Sequence, residues 1–358
     1  MRLRTLIARR VLLTIPVALG VVTFIFLGLS AMTPTMRVAY YVGSSPTRMN
    51  RELMQDAIHE YGLDQPIVVQ YANWLKKIIL LDFGRSYSYD VEAGPPVLSV
   101  MLDSLPSTLE LIIYALPFIV IFSIWSGTKA ALNQNKIADH LARVFGILGT
   151  SFPVFVVSAL LIFVSLIIQD ARHIQFVPIG TLDYSLQINL ITRIEDGSFA
   201  VYTNMMSIDT LLNGDMTLFL NSIAHLVLPV AVLVLTQCAA LIRVTRSSLM
   251  EELGKPYVAV ARAKGLSQRD ALYKHARKNA SISVLTILGL LLSNMFLSLA
   301  IVEIVFERPG FASLLVDSAR MMNTPVLLTG AMFVALFFVI LNLVVDVLYE
   351  YVDPRIKL

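Results

Sequence analysis

The chain has 358 residues, 56% of them hydrophobic and 15% charged, with a mean hydropathy of +0.73. That balance excludes a soluble globular domain of this length and marks an integral membrane protein. The formal net charge of +3 leaves no electrostatic footprint for nucleic acid, and the single cysteine, Cys238, reads as a small packing residue inside an apolar run.

A helix crossing hydrocarbon needs about 20 mostly apolar residues. Such stretches lie near 11–31, 107–127, 144–168, 223–242, 283–302 and 326–348, so the expected fold is all-α with about six transmembrane helices. The first follows Arg2, Arg4, Arg9 and Arg10 and is longer than the apolar core of a signal peptide, so a retained anchor is expected. Pro16, Pro117, Pro153 and Pro229 fall within or at the ends of these spans and are expected to kink them without ending them.

Segment 32–104 is too long for a simple connection. Its stretch QPIVVQYANWLKKIILLDFG places Ile67, Tyr71, Trp74, Leu75 and Ile78 at helical spacing, which predicts an amphipathic helix at an interface, on a partner domain, or packed over the bundle. Segment 169–221 sets Arg172 and Arg193 against Asp170, Asp183, Glu195, Asp196, Asp209 and Asp215. Segment 243–280 is the reverse: Arg243, Arg246, Lys255, Arg262, Lys264, Arg269, Lys274, Arg277 and Lys278 face only Glu251, Glu252 and Asp270. The positive-inside rule therefore places 128–143, 243–280, 349–358 and both termini in the cytoplasm.

Inside that basic segment, Pro256 fits a first helical position and Gly265 the left-handed position that ends a helix. Together they predict a helix over 256–264, with Arg262 and Lys264 in its last turn and Tyr257, Val258 and Ala261 on one face. Ser267, with Asp270 after it, predicts the cap of a second helix running through Tyr273, His275 and Arg277 into the fifth span. So short a helix is not stable alone, and its small-residue face has to pack on a partner, on its own bundle or on anionic lipid.

Polar groups at membrane depth are costly unless they line a cavity or pair. Ser293, Asn294 and Ser298 lie close to one helical face, fitting either a translocation path or bonds between packed helices. Glu303 and Glu307 stand at the outer end of the fifth span, as a gate or as solvated groups. Asn342 and Asp346, near the inner end of the sixth, are expected to face the bundle interior in a gating or structural role.

No phosphate-binding loop occurs, since Gly254 and Lys255 are followed by Pro256 without an upstream glycine. His59, His140, His173, His225 and His275 lack metal-ligand spacing, and no serine has a matching His and Asp constellation. The chain is therefore not expected to hydrolyse ATP itself, to be an enzyme, or to hold a cofactor or metal of its own.

The stretch YVAVARAKGLSQRDALYKHARKNA resembles the cytoplasmic loop of ABC-transporter membrane subunits, with Gly265 at the loop's characteristic glycine. More narrowly, the chain resembles the first permease subunit of dipeptide and oligopeptide importers. The supporting segments are ARRVLLTIPVALGVVTFIF, YGLDQPIVVQYANWL, LDFGRSY, LPSTLEL, HLVLPV, RVTRSSLMEELGKPYV and LVVDVLYEYVDPRIKL, in the family's order. Departures are Leu81 and Phe83 where Gly-Asp-Leu-Gly is common, Ala259 in place of a glutamate, and Arg308 in FERPGFASLL where an apolar residue is usual.

The resemblance implies the transmembrane domain of a type I ABC importer. Residues 1–31 would be the cytoplasmic N-terminus and first span, 32–104 an extracytoplasmic segment, and 105–358 the permease core with coupling loop 243–280. It implies a second homologous permease subunit, two cytosolic ATPases that bind ATP and magnesium, an extracytoplasmic solute-binding protein and an inner-membrane location in contact with lipid. Tyr257, Val258, Ala261, Arg262, Ala263, Lys264 and Gly265 would then dock on an ATPase. The same architecture also serves nickel chelates and oligosaccharides, whereas a secondary transporter or channel acting alone calls for a charged relay at mid-membrane, and none is visible.

Overall fold

The computed structural model describes residues 3–42, 51–86, 94–172 and 179–352. They fold into helices, with one isolated antiparallel bridge, Arg85 to Pro96, as the extended pairing among them. The chain forms two compact units, residues 1–106 with 311–343 and residues 107–310 with 344–358.

In the first unit, α1 (Leu3–Ser30) carries Pro16 inside it and is followed by α2 (Pro34–Val42), α3 (Arg51–Glu60) and α4 (Ile67–Ile79). The amphipathic helix expected around Trp74 is α4, and it packs on its own unit. Trp74 is buried, the Phe26 ring of α1 lies 5.1 Å from Tyr71 and 5.4 Å from Trp74, and Tyr71 shares a 2.7 Å hydrogen bond with Thr23. Later residues of this unit form α14 (Phe311–Arg320) and most of α15 (Thr324–Val352), where Phe311 and Phe83 both meet the Phe333 ring.

The second unit is built on α5 (Val97–Leu132), α10 (Met216–Leu253) and α13 (Arg277–Val305). Their apolar faces meet in a core that includes Leu111, Ile119, Leu233, Leu241, Leu299 and Phe306. Between α5 and α10 come α6 (Ile137–Ser151), α7 (Val154–Arg172), α8 (Tyr184–Glu195) and α9 (Met206–Leu212). Glycines bring the long helices close: a Cβ at Gly127 would lie 2.7 Å from Thr245 Cβ, and one at Gly149 would lie 2.6 Å from Ala239 Cβ. Buried Asp139 ties α6 to α10, accepting hydrogen bonds from Arg143 and Arg246, while Arg243 donates to the Gly146 carbonyl at 2.8 Å.

Among the described residues, four helices are long and apolar enough to cross a membrane, or up to six if each bent pair is one span. The third expected span, 144–168, is not a straight helix: α6 and α7 meet at 106°. Pro153 immediately precedes α7, so here proline marks a boundary, because the residue before a proline is driven out of helical geometry and Phe152 is extended at ψ 128°. Pro16, Pro117 and Pro229 instead lie inside continuous helices, as expected.

The acidic segment before α10 is folded. Leu182, Leu190, Phe199 and Leu218 make a small core, and Asp209 accepts from the Thr203 amide and hydroxyl at 2.8 Å each. Asp215 caps α10 through the Leu218 amide and accepts from Arg193 at 2.6 Å. The Leu218 amide, then Arg193, hold the Asp215 carboxyl below its ordinary value.

Candidate functional site

Helix α11 (Pro256–Ala263) follows α10 after two residues, with Pro256 at its start. Its end is a Schellman motif: the Gly265 amide donates to the Arg262 carbonyl at 2.9 Å and the Leu266 amide to the Ala261 carbonyl at 3.3 Å. Gly265 adopts φ +94°, which an L side chain rarely tolerates. The expected end at residue 264 is the C-cap, Lys264, one position past the last helical residue.

Ser267 then caps α12 (Gln268–Ala271), accepting from the Asp270 amide at 3.0 Å while its hydroxyl donates to the Asp270 carboxylate at 2.6 Å. A single π turn, Leu272–Ala276, joins α12 to α13, so the expected lead into the fifth span is continuous but carries a bulge.

Val258 and Ala261 point inward. Val258 packs with Leu253, Ala271 and Ala276, and Ala261 is also buried. The outward surface is therefore formed by Tyr257, Ala259, Val260, Arg262, Ala263 and Lys264, with Val260 55% exposed. Tyr257 does not share the inward face of Val258 and Ala261; its hydroxyl donates to Glu252 at 2.6 Å and accepts from Asn279 at 3.1 Å. Lys255 also binds Glu252, and that hydrogen bond raises its pKa. Burial, followed by the bond to Glu252, raises the Tyr257 pKa. Glu252 and Asn279, which hold α11 to both α10 and α13, were not visible as site residues in the sequence; Glu252 stood out only as one of few acids in a basic segment.

The polar residues expected at membrane depth separate. Asn294 is exposed, whereas Ser298 is buried and accepts from Gln237 Nε2 at 2.9 Å, a bond between α13 and α10. The side chain of Ser293 lies outside the described residues. Asn342 is exposed, so the expected interior position is not found, and the Asp346 side chain also lies outside the described residues.

Glu303 is not a solvated terminal group. It is fully buried at the end of α13 and accepts from Thr108 at 2.5 Å. A Cβ at Gly310 would overlap its carboxyl group, so glycine there admits the acid against the backbone. Glu307 remains exposed. Nearby, buried Glu110 accepts from the Ser207 amide at 2.8 Å, from the Ser207 hydroxyl at 2.6 Å and from Arg308 at 2.6 Å. Arg308, the departure from an apolar pattern, thus belongs to a buried ionic cluster; burial lowers its pKa, while Glu110 and Glu303 oppose that effect.

Among the described residues, no group of three or more His, Cys, Asp or Glu side chains is placed to hold a metal ion. Residues 119–358 match the model of the family described as binding-protein-dependent transport system inner membrane component. The chain is 32% identical over 351 residues to the di/tripeptide transport system permease protein of Pseudomonas aeruginosa, covering 98% of each chain. It is similar also to the dipeptide transport system permease protein of Escherichia coli, at 32% over 353 residues, and to the oligopeptide transport system permease protein of Bacillus subtilis, at 31% over 351 residues. Both of these alignments likewise cover 98% of each chain.

Proposed function

The chain belongs to the family of binding-protein-dependent transport system inner membrane components, and we propose that it forms half the translocation pathway of an ATP-driven peptide importer. In this reading a second, homologous permease supplies the other half, two cytosolic ATPases bind ATP and magnesium, and an extracytoplasmic binding protein delivers the solute. The peptide cargo is carried over from the named relatives. The basic segment 243–280 and both termini face the cytoplasm, following the charge asymmetry along the chain.

The observation that carries the coupling role is α11 itself. It is a short helix fixed at both ends, presenting Tyr257, Ala259, Val260, Arg262, Ala263 and Lys264 outward while Val258 and Ala261 anchor it. Small side chains allow close approach to a groove on an ATPase, and the bonds of Glu252 to Lys255 and Tyr257 transmit a push on α11 to α10.

The test is uptake of labelled di- and oligopeptides into vesicles holding the chain with its partner permease, ATPases and binding protein. Val260→Glu places a charge on the outward face without touching the core. The expected result is loss of ATP-dependent uptake at unchanged thermal stability. Full uptake by this variant would remove α11 from the coupling role. Uptake without ATPases would mark a secondary carrier, and uptake of nickel chelates or oligosaccharides in place of peptides would reassign the cargo.

A further inference from the structure

A groove of about 490 Å³ opens between α5 and the lead into α13. One wall is apolar and belongs to a helix long enough to span a membrane: Ile121, Ile124 and Trp125 of α5. The other end carries three cations, Lys129, Arg269 and Arg277. No acidic residue lines the groove, and none of the three cations is in a salt bridge among the described residues. Lys129 lies 4.9 Å over the Trp125 ring and Arg269 5.9 Å from the Tyr273 ring, so aromatic faces hold two of the cations at the groove.

We propose that this groove holds one anionic glycerophospholipid, with its phosphate among Lys129, Arg269 and Arg277 and an acyl chain along Ile121 and Ile124. Charge complementarity selects an anion, since three cations outside any salt bridge line one groove that no acid lines. The apolar wall selects a lipid over a soluble anion. Ile121 and Lys129 are eight residues apart on α5, about 12 Å along the axis, which matches a headgroup continuing into a chain. A soluble protein partner does not reach that depth beside a membrane-spanning helix, and Trp125 sits where an indole belongs, between the apolar and charged ends. The site requires only that α5 crosses the membrane and stands independently of the peptide-import reading.

Its position gives it a consequence. Arg269 lies in α12 and Arg277 opens α13, flanking the π turn that leads from α11. A bound lipid braces that lead against α5.

The chain contains two tryptophans, so Trp74→Phe leaves Trp125 as its sole fluorophore of that type. The full chain is reconstituted in phosphatidylcholine vesicles in which a fixed fraction is brominated on the acyl chain, as either phosphatidylglycerol or phosphatidylcholine. Brominated phosphatidylglycerol is expected to quench Trp125 more strongly, and each Arg→Gln or Lys→Gln change to reduce that preference about fivefold. Lys129→Arg, which keeps the charge, is expected to retain it and serves as the folding control. The proposal is overturned by equal quenching from the two lipids, or by a preference unchanged in the triple variant K129Q/R269Q/R277Q. Abolition of the preference by inorganic phosphate at constant ionic strength would assign a free-anion site instead. Its abolition on adding the ATPase subunits would assign the groove to protein docking and overturn the lipid.

Discussion

Arg308 Nη2 lies 2.6 Å from Glu110 Oε2, and both side chains are 1% exposed. Glu303 is buried near the same guanidinium, so the cation serves two acids at the end of the second unit's long helices. Removing one partner of a buried pair strands the other in a poor solvent for charge. Arg308→Met is expected to destabilise the chain by about 3–5 kcal/mol. Adding Glu110→Gln to it is expected to cost less than the sum of the single changes. Thermal melts in detergent, arranged as a double-mutant cycle, measure the coupling.

At Gly265 the constraint is torsional, because a Cβ there meets nothing within 4 Å while φ is +94°. Gly265→Ala is expected to cost about 1–2 kcal/mol of local stability, and Gly265→Asn distinctly less. Hydrogen exchange at the Leu266 amide, bonded to the Ala261 carbonyl, reports the loss directly. Equal protection in both variants would mean that the left-handed turn does not fix α11.

Gly149 and Gly146 lie on the same helix and make opposite predictions. A Cβ at Gly149 comes within 2.6 Å of Ala239 Cβ, whereas at Gly146 the nearest atom is 3.5 Å away. Gly149→Ala is expected to cost about 1–3 kcal/mol through overpacking of α6 on α10, with Gly146→Ala nearly neutral. Ala239→Gly in the Gly149→Ala background is expected to recover part of the loss in the same thermal assay.

Asp215 carries a pH dependence. Its folded pKa is lowered below the ordinary 3.8, first by the Leu218 amide and then by Arg193. A depressed carboxyl stabilises above its unfolded value and loses that contribution as pH falls through its folded value. The cluster of Leu182, Leu190, Phe199 and Leu218 is therefore expected to lose exchange protection on acidification from about pH 4 downward. Asp215→Asn removes the charge at every pH and is expected to flatten that acid limb.

Much of α11 was legible in the sequence because its signals are local. Pro256, Gly265 and the Ser267 cap each act within a few residues, and they bracket the helix to within one position. The residues that hold it were less legible, since Asn279 meets Tyr257 only after the chain turns back through the π turn. Hydropathy found the apolar stretch 144–168 but not its 106° break, because apolarity measures how much side chain is oily and carries no direction. The two readings of Glu303, gate or solvated group, could not be separated in the sequence for a related reason. An acid at a helix end reads as solvated unless its partners are known, and Thr108 is 195 positions away. Arg308 was visible as a departure from the family's pattern, yet its partner Glu110, 198 positions earlier, was not.

The eight residues of α11 are clamped at Pro256 and Gly265, which leaves the segment no slack. A displacement applied anywhere along it cannot be absorbed by uncoiling or by swinging about one end. It is expected to leave by two routes at once, through Leu253 at the foot of α10 and through Ala271 and Ala276 ahead of α13, which pack with Val258 in one cluster. The two long helices are therefore expected to receive any such movement together, and a change that slackened only one clamp is expected to break their synchrony before it weakens the helix.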